Sequence, residues 1–226
     1  MQSKVKLTKR QIKEDKFTTF MLNAKDRLLD TWQYWVIGIV AVILIVAAGS
    51  YYVSSQSEKT QEAASRYSRA VMEYRNGQTQ LALIGLEQVV DEYGGTDIAE
   101  QARFMLGAMN FEERNYAEAI EQFQNYLDKY KQNKLNRAAA YAGIAAAHEN
   151  QGNYEEAAAH FEQAFDAYPR GPLAGDYMMG AMRSYLLMGD IEKARTKLDQ
   201  INAEFAGTGL ANRAERLFTE MGTSAS

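Results

Sequence analysis

The residue types that most often perform acid–base or metal chemistry are scarce in this chain. It has two histidines, His148 and His160, and no cysteine. The spacing predicts that the two histidines lie on different helices, and neither has a histidine or carboxylate three or four residues further on that would complete a metal site. The nearest acids, Glu149 and Glu162, are typical of a solvated helix surface. We therefore expect no enzymatic activity, no bound metal and no cofactor.

Two glycine-containing segments could resemble phosphate-binding loops. They are Gly94-Gly95 and Gly207-Thr208-Gly209, and neither is followed by the Lys-Ser or Lys-Thr pair that such a loop requires. Both segments instead have the composition of a helix C-cap followed by a threonine N-cap. No nucleotide or other small-molecule substrate is expected.

Charge is distributed unevenly along the chain. Residues 1–30 carry eight basic and four acidic side chains, a net charge of +4, whereas the remainder carries 17 basic and 25 acidic side chains, a net charge of −8. Binding to phosphate backbones requires clustered lysine and arginine. The acidic remainder is therefore not expected to bind nucleic acid.

An uncharged apolar segment follows the basic one. No charged residue occurs from Thr31 to Ser57, and a helix of roughly 20 apolar residues spans the hydrocarbon core of a bilayer. Aromatic side chains flank the segment at both ends, as is typical of the two headgroup layers. The sequence therefore predicts a transmembrane helix over residues 31–53 with these membrane-interface residues: Trp32, Tyr34, Trp35, Tyr51 and Tyr52.

A cleavable signal peptide is the alternative for this segment, because Ala47-Ala48-Gly49-Ser50 offers small residues near its end. The preceding basic region of about thirty residues and the length of the apolar run both favour an uncleaved anchor. The excess of Lys and Arg before the helix predicts a cytoplasmic N-terminus. In a bacterium, the rest of the chain would then lie in the periplasm, attached to the inner membrane.

The region after the anchor repeats itself four times. Ala82, Ala119, Ala157 and Ala194 are each followed four residues later by a large apolar residue, and the spacings between the alanines are 37, 38 and 37. A second set of landmarks, Tyr93, Tyr130, Tyr168 and Phe205, has the same spacings. A period in this range is typical of stacked helical hairpins.

Each repeat has the composition of two antiparallel helices. Small residues, Ala70, Gly107, Ala145 and Gly180, are expected where the two helices of a pair approach each other. Residues 208–221 have the pattern of one further helix that would cover the last hairpin. The predicted fold is all-α: an N-terminal transmembrane helix followed by a solenoid of about four helical hairpins and a C-terminal capping helix. The predicted organisation is residues 1–30 as a cytoplasmic basic amphipathic segment, 31–53 as the transmembrane helix, 54–221 as the repeat domain and 222–226 as a disordered tail.

The repeat resembles the tetratricopeptide repeat. Its best match is residues 141–169, where Tyr141, Gly152, Tyr154, Ala157, Phe161 and Pro169 stand at positions that characterise the family. The period of 37–38 is longer than the usual 34, and the extra residues are expected in the loops between repeats. This variant with one membrane helix is similar to the ancillary subunit family of the Sec translocon, and its repeats are similar to those of the Tol-Pal-associated cell division coordinator.

The resemblance implies a periplasmic adaptor or scaffold whose partners are other proteins: the Sec translocon, chaperones, client polypeptides or subunits of a complex. A structural or assembly subunit of a larger membrane or cell-envelope complex is the alternative. Binding is expected on the wall formed by the first helix of each pair, because exposed aromatics beside arginine favour protein contacts. Each of these side chains could also be core between repeats. The predicted partner-binding residues are Tyr67, Tyr74, Arg75, Phe104, Phe111, Glu112, Asn150, Asp176, Met179, Arg183 and Leu186.

Overall fold

The computed structural model describes the backbone of residues 9–222 and the side chains of residues 18–22, 25 and 32–222. Within this range the protein is helical and contains no strand, which confirms the predicted all-α class. The helices are α1 (Lys9–Arg75), α2 (Thr79–Glu92), α3 (Asp97–Glu112), α4 (Tyr116–Lys129), α5 (Lys134–Asn150), α6 (Tyr154–Ala167), α7 (Ala174–Met188), α8 (Ile191–Glu204) and α9 (Gly209–Gly222).

The chain divides into two compact units, Met1–Ser57 and Glu58–Ser226. In the first unit, α1 is unbroken where the sequence predicts two segments, 1–30 and 31–53. Both prolines of the chain, Pro169 and Pro172, come after α1, so that no proline interrupts its helical hydrogen bonds. Most side chains of the predicted basic segment, and residues 223–226 of the predicted tail, lie outside the described residues.

One stretch of α1, within Trp32–Arg75, is long and apolar enough to cross a membrane by length and composition. None of its most apolar window is buried inside the protein. The five predicted membrane-interface residues lie on this stretch with their side chains exposed: Trp32, Tyr34, Trp35, Tyr51 and Tyr52.

The second unit is an array of helical hairpins. The end of α1 pairs with α2, α3 with α4, α5 with α6, and α7 with α8, and we call the first helix of each pair the A helix and the second the B helix. The B helices α2, α4 and α6 also pack on the A helix of the next hairpin. The last helix, α9, packs on α7 and α8 through Ala214 and Phe218, as the predicted cap should.

Phe123 on α4 shows how consecutive hairpins interlock. A methyl group placed on Gly107 of its own hairpin would lie 2.7 Å from the Phe123 ring, and one on Gly143 of the next hairpin would lie 2.5 Å from it. The ring therefore occupies the space that both glycines leave.

Phe161 on α6 reaches the next hairpin in the same way. It approaches Gly180 of α7, where an added methyl group would lie 2.7 Å from the ring. Gly180 therefore corresponds to Gly143 and lies at the close approach of two neighbouring hairpins, whereas Gly107 and Ala145 face the B helix of their own hairpin. In α5, Ala145 faces its own B helix and Gly143 faces the preceding one, and the sequence pattern alone did not separate the two positions.

The turns between the two helices of each hairpin share a backbone feature. Gly77, Gly152 and Gly189 occupy the left-handed region, with φ between 79° and 81°. Arg114 stands at the equivalent place in the second hairpin with φ of 61°. Left-handed φ is unfavourable for any residue with a Cβ atom, so the second turn is strained relative to the other three.

Of the two predicted threonine caps, Thr96 is confirmed, whereas the Thr208 hydroxyl donates a hydrogen bond to the carbonyl of Phe205 at 2.7 Å. Thr96 follows Gly94-Gly95, and its hydroxyl accepts a hydrogen bond from the backbone N–H of Ala99 at 3.2 Å. Asn133 caps α5 in the same manner, accepting from the N–H of Asn136 at 3.1 Å. These caps satisfy backbone donors that have no partner within the helix.

Candidate protein-binding surface

The A helices contact one another along one surface of the repeat unit. We call this surface the A-helix face and define it by residues that either bridge neighbouring A helices or are at least partly exposed beside those bridges. They are Tyr67, Met72, Tyr74, Arg75, Met105, Phe111, Glu112, Glu149, Asn150, Asp176, Arg183, Leu187 and, on α9, Arg213. The face includes eight of the eleven predicted partner-binding residues.

Two tyrosines connect α1 to α3 on this face. The Tyr67 hydroxyl lies 3.5 Å from the sulfur of Met105, and the Tyr74 hydroxyl donates a hydrogen bond to the carboxylate of Glu112. That hydrogen bond raises the pKa of the Tyr74 phenol, because the carboxylate favours the protonated donor. Tyr74 is thus held as a neutral donor.

An open apolar pocket lies beside these tyrosines on α1. It is lined by Tyr67, Ser68, Val71, Met72 and Arg75. The Met72 side chain is 64% exposed, more than any other large apolar side chain that the structure describes in the repeat unit. Met72 was not among the predicted binding residues, although its position three residues before Arg75 on the same helix could have indicated it.

Aromatic and amide groups connect the second and third hairpins. The rings of Phe111 and Tyr116 have centroids 5.6 Å apart. The Tyr116 hydroxyl donates to Oδ1 of Asn150 at 3.1 Å, and the amide of Asn150 donates in turn to the carbonyl of Ala146 at 2.8 Å. The predicted binding residue Asn150 is thereby fixed in one orientation.

The fourth hairpin is tied to its neighbours by charged pairs. Arg183 on α7 binds both carboxylate oxygens of Glu149 on α5, at 2.9 and 3.0 Å. Asp176 on α7 accepts a hydrogen bond from Arg213 of α9 at 3.1 Å. Both predicted residues, Asp176 and Arg183, therefore contribute to the face through partners that the sequence did not indicate.

Three predicted binding residues pack into the core between helices: Leu186 is buried, and Phe104 and Met179 are partly buried. Leu186 is only 4% exposed and belongs to the core between α7 and α8. Phe104 packs edge-on against Phe123 and Tyr126, with centroid distances of 5.5 and 5.6 Å. Met179 packs against the same core as Leu186. The reason is that each inner A helix is covered by two B helices, which leaves a narrower exposed stripe than helical spacing alone suggests.

The two histidines meet in the third hairpin. Their rings are parallel within 2° with centroids 5.5 Å apart, and both Nδ1 atoms are buried without a hydrogen-bond partner among the described residues. Burial lowers the pKa of His148, and burial together with the nearby His148 lowers that of His160. No cluster of three or more potential metal ligands occurs within the described part of the chain.

Helix spacing could have indicated this pairing. His148 lies three residues after Ala145, and His160 lies one residue before Phe161, which packs on Ala145. Because α5 and α6 run antiparallel, a residue after Ala145 and a residue before Phe161 lie toward the same end of the hairpin. The two histidines are therefore at a similar level.

The family model for the tetratricopeptide repeat-like domain matches residues 29–196. No curated protein matches this chain. Many solved structures share its fold, among them a Podosopora anserina putative kinesin light chain with nearly identical TPR-like repeats, with a TM-score of 0.57 and 18% identity over 73% of this chain and 87% of that one.

Two further solved structures give the same result. A tetratricopeptide repeat protein from Parabacteroides merdae has a TM-score of 0.60 and 13% identity, over 73% of this chain and 61% of that one. A MamA protein has a TM-score of 0.53 and 16% identity, over 74% of this chain and 88% of that one. At such identities the structural likeness concerns the fold alone, whereas the family model covers most of the sequence. The chain belongs to the tetratricopeptide repeat-like family.

Proposed function

We propose that this chain is a membrane-anchored adaptor that binds segments of other proteins on its A-helix face. The observation that carries the proposal is the chemistry of that face at its first hairpin, where exposed Met72 lies beside Tyr67 and Arg75 around an open apolar pocket. Aromatic, methionine and arginine side chains are enriched at protein interfaces. The fold supports the same conclusion, because tetratricopeptide-type arrays bind proteins through such surfaces.

Anchoring is supported by the apolar stretch of α1 and by its exposed aromatic residues. The family model begins at residue 29, so that the apolar stretch and the repeats are matched together. The net charge of +4 over residues 1–30 favours a cytoplasmic N-terminus with the repeats on the other side of the membrane. In a bacterium, this side is the periplasm.

Partners follow from the resemblance to translocon-associated repeat proteins: the Sec translocon itself, periplasmic chaperones, or client polypeptides. The proposed role is binding without catalysis. The solenoid would hold a partner at the membrane surface, and no step of that role requires a cofactor.

The binding proposal is tested by photo-crosslinking in intact cells. A photoreactive amino acid is placed at Met72 or Phe111 on the A-helix face, and at Glu118, an exposed residue of the B helix α4, as the matched control. The proposal expects discrete adducts from Met72 and Phe111 whose masses, after digestion and mass spectrometry, identify translocon, chaperone or client proteins. Adducts from all three positions in equal yield, or from none, would contradict a specific role for the face.

The anchoring proposal is tested separately. Membranes are washed with alkaline carbonate and the mass of the retained protein is measured, with protease added to spheroplasts to locate the repeats. Retention of the full-length chain and digestion of the repeats from outside are expected. A shortened, soluble chain beginning near Ser50 would show that the apolar stretch is a signal peptide instead.

A permanent structural subunit is the second candidate. The specific observation in its favour is that four charged side chains of the A-helix face form ion pairs with one another, Glu149 with Arg183 and Asp176 with Arg213. A preformed, rigid surface of this kind suits a constant neighbour. Native gels of gently solubilised membranes distinguish the two, because a subunit migrates entirely in one stoichiometric complex and an adaptor does not.

A further inference from the structure

The first B helix, α2, differs from the other three at two surface positions. It carries Leu81 and Ile84, which are 52% and 44% exposed. The repeat spacing aligns these positions with Glu118 and Glu121 on α4, Glu156 and Ala159 on α6, and Lys193 and Thr196 on α8, all exposed. Only α2 presents two large aliphatic side chains where its counterparts present charged or small residues.

Leu81 and Ile84 belong to a groove between α1 and α2. Its other lining residues are Arg66, Arg69, Ala70, Glu73, Gly85 and Gln88. The side of α2 that packs on α3 carries Leu83, Leu86 and Val90, which are buried. The groove is therefore on the opposite side of the hairpin from α3, and none of its lining residues belongs to the A-helix face.

The openness of the groove favours side chains of a macromolecule over a small molecule. Its volume is about 280 Å³, and it is open to solvent. Small-molecule pockets usually measure about 300–1,000 Å³ and enclose most of the ligand. An exposed aliphatic pair in an open groove instead matches the way an amphipathic helix of a partner is bound.

The charges at the rim define that partner further. Arg66 is neutralised by ion pairs with Glu62 at 3.2 Å and Glu92 at 2.8 Å. Arg69 and Glu73, four residues apart on α1, form no ion pair among residues whose side chains the structure describes. They thus present one positive and one negative charge about one helical turn apart beside the aliphatic pair.

We infer that the α1–α2 groove is a second protein-binding site, and that its occupant is an amphipathic helix of another protein. The apolar stripe of that helix covers Leu81 and Ile84. Along one edge of the stripe the helix carries an acidic residue opposite Arg69 and a basic residue opposite Glu73, one turn apart. The site lies outside the A-helix face, so the chain can hold two partners at once.

Designed helical peptides test this site on the full-length chain in nanodiscs. All peptides share one leucine stripe, and their edge carries Glu and Lys one turn apart, two Lys, or two Glu. Fluorescence anisotropy measures their dissociation constants. The Glu/Lys peptide is expected to bind most tightly, and Leu81→Glu with Ile84→Glu is expected to weaken it at least about tenfold. These substitutions reproduce Glu118 and Glu121 of α4, so that the hairpin should fold normally.

The charge requirement is tested by reversal. Arg69→Glu should shift the preference of the chain to the peptide with two Lys, whereas Arg75→Ala, on the A-helix face, should leave all three dissociation constants unchanged. Equal binding of the three peptides, or no effect of the Leu81/Ile84 substitutions, would overturn the proposal. Light scattering tests whether the groove instead binds a second copy of this chain. A dimer of the unmodified chain that dissociates when Leu81 and Ile84 are replaced by glutamate would overturn the inferred partner.

Discussion

Arg183 on α7 donates two parallel hydrogen bonds to Glu149 on α5, from Nε to Oε1 at 2.9 Å and from Nη2 to Oε2 at 3.0 Å. The buried hydroxyl of Ser184 donates to the same carboxylate at 3.2 Å. A two-pronged contact of this kind fixes the relative position of two A helices more firmly than a single bond would. It makes this pair the best-defined polar connection of the A-helix face.

Replacing Arg183 with Lys should therefore weaken the contact between the third and the fourth hairpin. Lysine keeps the charge but cannot form the two-pronged contact, and the expected loss is about 1 kcal/mol of the free energy of unfolding, measured by urea denaturation. Arg213→Lys is the control, because its ion pair with Asp176 is about half exposed on both sides and should contribute little. Equal losses in both variants would show that exposure does not decide the strength of these pairs.

Gly143→Ala should destabilise the repeat unit. In an open helix the change from glycine to alanine stabilises by up to about 1 kcal/mol, but here the new methyl group would lie 2.5 Å from the Phe123 ring. The ring cannot withdraw, because Gly107 bounds its other side. The expected cost is about 1–3 kcal/mol, measured by thermal and urea denaturation.

The matched double variant distinguishes a clash from an unrelated effect. Phe123→Leu reduces the ring to a smaller side chain, and Gly143→Ala should cost clearly less in that background than in the natural one. An additive loss in the double variant would show that the two residues do not interact.

Arg114→Gly should stabilise the chain. Arg114 has a φ of 61° at the place where the other three hairpins have glycine, and a left-handed residue with a Cβ atom costs roughly 1–2 kcal/mol. Glycine removes this strain but increases the conformational entropy of the unfolded chain. The free energy of unfolding is therefore expected to rise by about 0.5–1 kcal/mol. Asn115→Gly, next to it, serves as the control and should not raise the urea midpoint.

The free energy of unfolding should decrease as the pH is lowered, because the two histidines become protonated. The pKa of each is lower in the folded chain than the ordinary 6.5, so the unfolded chain binds more protons as the pH falls below that value. The stabilisation is fully present above about pH 6.5 and is lost as the pH falls further. Glu156 opposes the shift at both histidines without reversing it.

The comparison that isolates this effect uses His148→Gln with His160→Gln. Urea midpoints at pH 7.5 and pH 5.5 should decrease more for the natural chain than for the variant, since glutamine does not titrate in this range. Identical decreases would assign the pH dependence to the carboxylates that both chains share.

Repeat spacing predicted the hairpin array because each hairpin must present the same small and large residues to its neighbours. The exposure of the predicted binding residues followed from helical spacing only in part. Tyr74, Glu112, Asp176 and Arg183 lie where helical spacing put them, but Leu186 is buried because B helices cover α7 from both sides. Helical spacing gives the direction in which a side chain points but not how much of the helix surface is buried by neighbouring helices.

The sequence by itself determined the helices, their period, the capping helix and the apolar stretch, because these depend on residues close together in the chain. Only the tertiary structure decided which side chains meet across hairpins. Glu149 and Arg183 are 34 residues apart, and Phe123 and Gly143 belong to different hairpins. The same holds for the α1–α2 groove, since its two walls become a site only after the helices pack. Long-range contacts depend on the packing of whole helices, which no local pattern of residues specifies.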